Sequence, residues 1–197
     1  MKGFILALVL TGATAAHAES STDPDWPCIQ RKQPHLSLGQ MWSGPEPDDA
    51  IRAMASMPEI AHLAERLEQR RLPIEQATTE IGEFASGADN RKLTALMVAI
   101  FDRVDPQRSA LISGIARYGH KQVDLANRIE DHRAKMTELE KAEKPDFDAI
   151  DETEKQLDWD MRIFQDRQQS LTYVCETPVI LEQRVFALAR AIQAGLK

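Results

Sequence analysis

The sequence predicts an all-α fold: a long antiparallel helical hairpin, coiled-coil-like, packed with several shorter helices and an irregular N-terminal arm. Two apolar runs with coiled-coil spacing carry this reading, together with the short polar connection between them. Strand signals are missing as well. No stretch keeps a polar/apolar alternation, and no Asn-Gly or Asp-Gly pair sits between apolar runs. At 197 residues, one domain is expected over 19–197.

Residues 1–18 have the pattern of a secretory signal peptide. Lys2 is the basic start, Phe4 to Leu10 the apolar stretch, and Ala16-His17-Ala18 the small-x-small cleavage site. The apolar stretch is too short to span a bilayer. No Cys follows the cleavage site, so a lipid anchor is not expected. A periplasmic location is the expectation, and no later segment is apolar enough to cross a membrane.

Residues 19–46 form the arm. It is rich in Pro, Gly and Ser and shows no helical period, yet it carries Trp26, Ile29, Leu36, Leu38, Met41 and Trp42. Such apolar content predicts an irregular segment laid over the bundle rather than a free tail.

Residues 47–104 read as short helices. Pro47-Asp48-Asp49 opens the first, which stops before Pro58 because proline disfavours helix at Met57. Ser56 and Glu59 then have capping-box spacing ahead of Ile60, Leu63 and Leu67. Pro73 ends that helix. Ile74, Ala77, Ile81 and Phe84 line the next, closed by Ser86-Gly87. From Asp89 to Val104, Leu93, Leu96, Met97, Ile100 and Phe101 point inward.

Residues 105–176 are the hairpin. Asp105-Pro106 has the look of a helix start, a cap followed by a first-turn proline. Leu111, Ile115, Tyr118, Gln122, Leu125, Ile129, His132, Met136 and Leu139 follow in steps of four and three. After Lys144-Pro145-Asp146 the return helix carries Ile150, Leu157, Phe164 and Leu171 seven apart, with Met161 and Val174 between them. The short turn makes the two helices antiparallel neighbours. The seams then align Leu139 with Ile150, Leu125 with Phe164 and Tyr118 with Leu171. Gln122 falls opposite Arg167 and Gln168, giving one polar layer inside an apolar seam, a device that specifies pairing. The outer faces carry acid-first pairs such as Asp131→Lys135 and Asp158→Arg162, as solvated helices do. Residues 177–197 complete the chain with a helix begun at Thr177-Pro178 and lined by Leu181, Val185, Leu188 and Ile192.

The formal net charge is −7, one unit more negative once Lys2 leaves with the leader. An acidic chain without a basic stripe is a poor match for nucleic acid or anionic lipid. Cys28 and Cys175 are the only cysteines. In an oxidising compartment an isolated pair, with neither C-x-x-C spacing nor adjacent histidines, reads as a structural disulfide.

Few residues point to chemistry. Glu59 and His62 have the E-x-x-H spacing of carboxylate-bridged metal bundles, but it occurs once where such bundles need it twice. His132 lies in the seam opposite Leu157, within reach of Glu154, and is the candidate ligand or pH-sensitive joint. No G-x-S-x-G, H-E-x-x-H or phosphate-cradling glycine loop is present. No cofactor or metal is expected, and no catalytic residue is assigned. The expected function is that of a non-catalytic adaptor, accessory subunit or chaperone-like binder that meets a periplasmic protein through a helix face. A homo-oligomer is the other association the sequence allows. A bundle carrier of a small ligand, metal or haem is the alternative.

Overall fold

A computed structural model describes residue 23 and residues 26–197. The leader expected over 1–18 lies outside the described residues, as does the start of the arm. Six helices follow in order among the described residues: α1 (Leu38–Met41), α2 (Asp49–Met54), α3 (Pro58–Glu68), α4 (Ile74–Gly87), α5 (Asn90–Lys141) and α6 (Phe147–Ala194). The fold is all-α, and α5 and α6 form a long antiparallel pair.

Both long helices run further than their sequence signals implied. The first does not begin at Asp105: α5 is capped by Asp89, whose carboxylate accepts from the Lys92 N–H, and it continues through Pro106. Likewise α6 is capped by Asp146 and continues through Pro178, so Thr177-Pro178 starts nothing. An interior proline removes one backbone hydrogen bond and crowds the preceding turn, at about 3 kcal/mol. Tertiary packing outweighs that here. Val104 and Arg108 are buried on either side of Pro106, and Pro178 is itself buried, as is Leu181. The short helices therefore end at Gly87, and the expected last helix is the end of α6.

The long pair divides into a head and a stalk. In the head, every residue of α5 from Leu93 to Ile100 is buried. A helix apolar all round must be surrounded. Helices α2 and α3 pack on α5, α4 packs on α6, and Val185, Leu188 and Ile192 close the core from α6. Arg184 donates to the carbonyls of Leu67 (2.8 Å) and Leu72 (3.0 Å), serving acceptors left over where α3 ends. Burial lowers its pKa.

Among the expected short helices, one start differs in its cap. Ser56 and Glu59 make no capping box. Pro58 occupies the first helical position, so Met57 becomes an extended N-cap without a side-chain hydrogen bond. Asp48 does cap α2, accepting from Ile51 N–H at 2.7 Å.

The stalk is the remainder of α5 and α6, joined by the 142–146 turn. Its seam buries Ile112, Ile115, Leu125 and Ile129 from α5. Arg128 with Asp160 and Arg108 with Glu182 bridge the helices in the predicted register, to within a helical turn.

Candidate binding surfaces of the stalk

The arm is built onto the long pair by specific bonds. Cys28 and Cys175 form the expected disulfide, with Cα atoms 5.6 Å apart. Gln30 donates its side-chain amide to the Cys175 carbonyl. Arg108, only 5% exposed, donates to the Gln33 carbonyl at 2.6 Å and to Glu182 at 3.2 Å. Asp105, relieved of any capping task, accepts from Leu36 N–H at 2.7 Å and contacts His35 at 2.9 Å. Leu36, Met41 and Trp42 then enter the head core, and Ser43 meets Gln193 at 2.9 Å. The arm thus travels from mid-stalk to head beside α6. Its one regular piece is α1, a single turn where no helix was expected.

Gln122 sits where the arm reaches the stalk. It is 8% exposed and donates from Nε2 to the Phe164 carbonyl at 3.3 Å, while Oε1 is buried without a partner. The amide cannot be turned round usefully, because two carbonyl oxygens would then face each other. Of its expected layer, Gln168 lines the same cavity. Arg167 does not join them; its guanidinium lies over the Tyr118 ring, 5.9 Å from the centroid. That cation–π contact keeps the charge near water while the stem packs.

His132 has a different partner from the one its spacing implied. Its Nε2 lies 3.6 Å from Asp160, not beside Glu154. Asp160 is 6% exposed and receives two hydrogen bonds from Arg128, at 2.6 and 2.8 Å. Those bonds hold its carboxyl below the usual carboxylate range against the opposing effect of burial, with the charges of Arg128 and His132 adding to them. Toward the tip of the stalk the buried residues of α6 are Thr153 and Asp160, three residues after Ile150 and Leu157, whereas Met161 is half-buried beside them and Val174 is exposed. Seven-residue spacing could have revealed these two. Their polarity hid them.

The side chains of Glu59 and His62 are both exposed on α3, and Glu59 faces Lys92 at 3.8 Å. Among the described residues no group of three or more His, Cys, Asp or Glu side chains could hold a metal ion. No helix among them is long and apolar enough to cross a membrane.

The outer side of α6 is the surface that sequence reading missed. Trp159 is 64% and Tyr173 76% exposed, with Val174 also exposed and Ile163 half-buried. At 100° per residue these four share a sector about 100° wide. The spacing of Trp159 and Ile163 with Tyr173 was legible in the sequence, but it competes with the stronger seven-residue seam on the other side. No protein-family model, curated protein or solved structure matches this chain.

Proposed function

We propose that this protein is an exported, non-catalytic adaptor, accessory subunit or chaperone-like binder that meets a periplasmic protein through its stalk. The carrying observation is the aromatic sector of α6, where Trp159 and Tyr173 stand open to solvent on the two-helix stalk. Aromatic side chains are the commonest anchors of protein interfaces, since they bring large area with little loss of rotamer freedom. Export accords with the Cys28–Cys175 disulfide and with the leader pattern of residues 1–18. The acidic surface disfavours nucleic acid.

Photo-crosslinking in exporting cells tests the reading. A benzophenone side chain placed at Trp159 or Tyr173 should give a protein adduct in the periplasmic fraction, and one at His62 on the head should not. Equal adducts at all three sites, or none, would overturn it. An adduct of twice the chain mass would make the partner a second copy. The alternative, a bundle carrier of a small ligand, metal or haem, draws on the cavity beside Gln122. An absorbance spectrum and metal analysis of the exported protein separate the two: one equivalent of haem or metal per chain would replace the adaptor reading.

A further inference from the structure

The open side of α6 has a periodicity of its own. Trp159, Asp166, Tyr173 and Ile180 stand seven residues apart, and Ile163, Ser170 and Thr177 fall between them in steps of four and three. Such steps make a coiled-coil seam. This one lies away from α5. Trp159, Tyr173 and Ile180 are exposed along it, and Ile163 is half-buried. From Trp159 to Ile180 it runs about 32 Å. It ends at Arg184, next in the series, which donates to the Leu67 and Leu72 carbonyls and so belongs to the head.

The order of residues along this seam suits a second copy of the chain. When a two-fold axis relates two antiparallel helices, residue i meets j and j meets i, so every contact is made twice. An axis level with Gln168 sets Ile163 against the partner's Tyr173 and Trp159 against the partner's Thr177. At the centre Asp166 meets the partner's Ser170, a carboxylate beside a hydroxyl that can donate to it. Arg162 and Glu176 immediately precede the seam residues Ile163 and Thr177, so both edge the seam on one side. The same axis brings Arg162 level with the partner's Glu176. Both are exposed, and among the described residues neither has an ion-pair partner in its own chain.

Other arrangements fit worse. A parallel pair sets Asp166 against the partner's Asp166. Moving the axis half a heptad toward the tip sets Asp166 against the partner's Ile163. Moving it as far toward the head leaves Arg162 and Glu176 each opposite a glutamine.

We propose that two copies of this chain pair antiparallel through the outer seam of α6, with Ile163–Tyr173 contacts in its core and Arg162–Glu176 ion pairs at its edge. This names the occupant of the Trp159–Tyr173 sector and rests on the protein-binding reading of it. The aromatic residues supply contact area. An exposed ion pair adds little affinity, and here it selects the register.

Sedimentation equilibrium of the exported, disulfide-bonded protein tests it, with charge exchange as the decisive comparison. Wild type should be a dimer that dissociates on dilution. Tyr173→Ala should weaken it by at least roughly tenfold, and Arg162→Glu or Glu176→Arg alone by about tenfold. The double variant, Arg162→Glu with Glu176→Arg, should return to within about threefold of wild type. The two positions lie about 21 Å apart along one helix, so they cannot touch within a chain, and only an antiparallel second copy makes the rescue. Lys135→Glu, the same change of charge on α5, should leave the dimer unchanged. A monomer at every concentration would overturn the proposal, and so would a double variant that recovers nothing. Photo-crosslinking separates this from the wider reading. Adducts from Trp159 to a different protein, with a monomer in sedimentation, would sink the pairing and leave the adaptor reading standing. A rescued dimer whose only adduct has twice the chain mass would uphold the pairing and confine the role of this sector to self-association.

Discussion

Head and stalk are cut from the same two helices, yet they are stabilised differently. In the head, α5 is buried on every side from Leu93 to Ile100, and its core carries only apolar groups apart from Thr94. In the stalk each helix has one partner, and the buried set includes Arg108, Gln122, Thr153 and Asp160. A two-helix pair cannot hide enough apolar area to stand alone. The stalk adds a disulfide, an arm and a bidentate ion pair. Stability in the head is therefore mainly collective, whereas in the stalk it rests on a few removable bonds.

Removing the disulfide should have the largest effect. Cys28 and Cys175 are 147 residues apart in sequence. Closing a loop that long stabilises by roughly 4–5 kcal/mol in the chain-entropy model. Replacing both cysteines with serine should lower the urea midpoint accordingly. Hydrogen exchange should rise first around Gln122 and Phe164 and last around Leu96. Uniform loosening would mean that head and stalk are one cooperative unit and would erase the distinction.

Core truncations sharpen it from the other side. Leu96→Ala removes a fully enclosed side chain, and Leu125→Ala one that is enclosed by a single partner helix. Both should cost between about 2 and 5 kcal/mol, Leu96→Ala near the top of that range and Leu125→Ala near the bottom, because the stalk can relax around the gap. Chemical denaturation of the two variants checks the order, and a reversal would place the tighter packing in the stalk.

Acid should divide the two regions next. The Asp160 carboxyl is held below its ordinary range by the Arg128 hydrogen bonds, so its contribution is present above the unfolded Asp value, about 3.9, and is lost as pH falls through the lower folded value. Asp102, near the base of the stalk, is raised by desolvation, with Arg52 opposing and Asp105 adding. Its sign is opposite: stability falls as pH rises from the unfolded value through the raised one. Asp160→Asn should flatten the acid side of a stability–pH profile, and Asp102→Asn should remove a slope of the other sign. Glu80, held low by Arg66 in the head, leaves some acid sensitivity in both variants. Matching profiles for wild type and Asp160→Asn would show that the ion pair adds nothing.

The sequence made the hairpin legible because apolar spacing is a strong signal and its register follows from the turn. Leu125 and Ile129 are in the seam as read, and the Cys28–Cys175 bond is formed as read. What escaped was decided by neighbours distant in sequence. Asp105-Pro106 and Thr177-Pro178 carry every local mark of a helix start, and only the burial of Val104, Arg108 and Leu181 keeps the helices continuous across them. Asp160 was overlooked because a carboxylate in a seam is unfavourable until Arg128 is known to reach it. The exposed sector at Trp159 and Tyr173 has no internal partner, and its pattern was weaker than that of the seam. The arm's anchors on Asp105 and Arg108 join residues about 70 positions apart, which no local pattern encodes.

The smallest stability change is expected at Gln122, where the two regions' ways of burying a residue meet. Its Nε2 bonds a carbonyl, that of Phe164, which lies within the continuous helix α6 and has a backbone partner there. Its Oε1 has no partner at all. Gln122→Leu therefore removes one weak hydrogen bond and one buried unmet acceptor, and replaces them with an apolar group of similar size. When both halves of a buried polar arrangement are dispensable, such a change is close to neutral or stabilising. The midpoint of thermal unfolding should stay within a few degrees of wild type or rise. A loss comparable to that of Leu125→Ala would mean that Oε1 is served in solution by an ordered water the variant expels, and that the polar layer contributes to the stalk as the ion pair does.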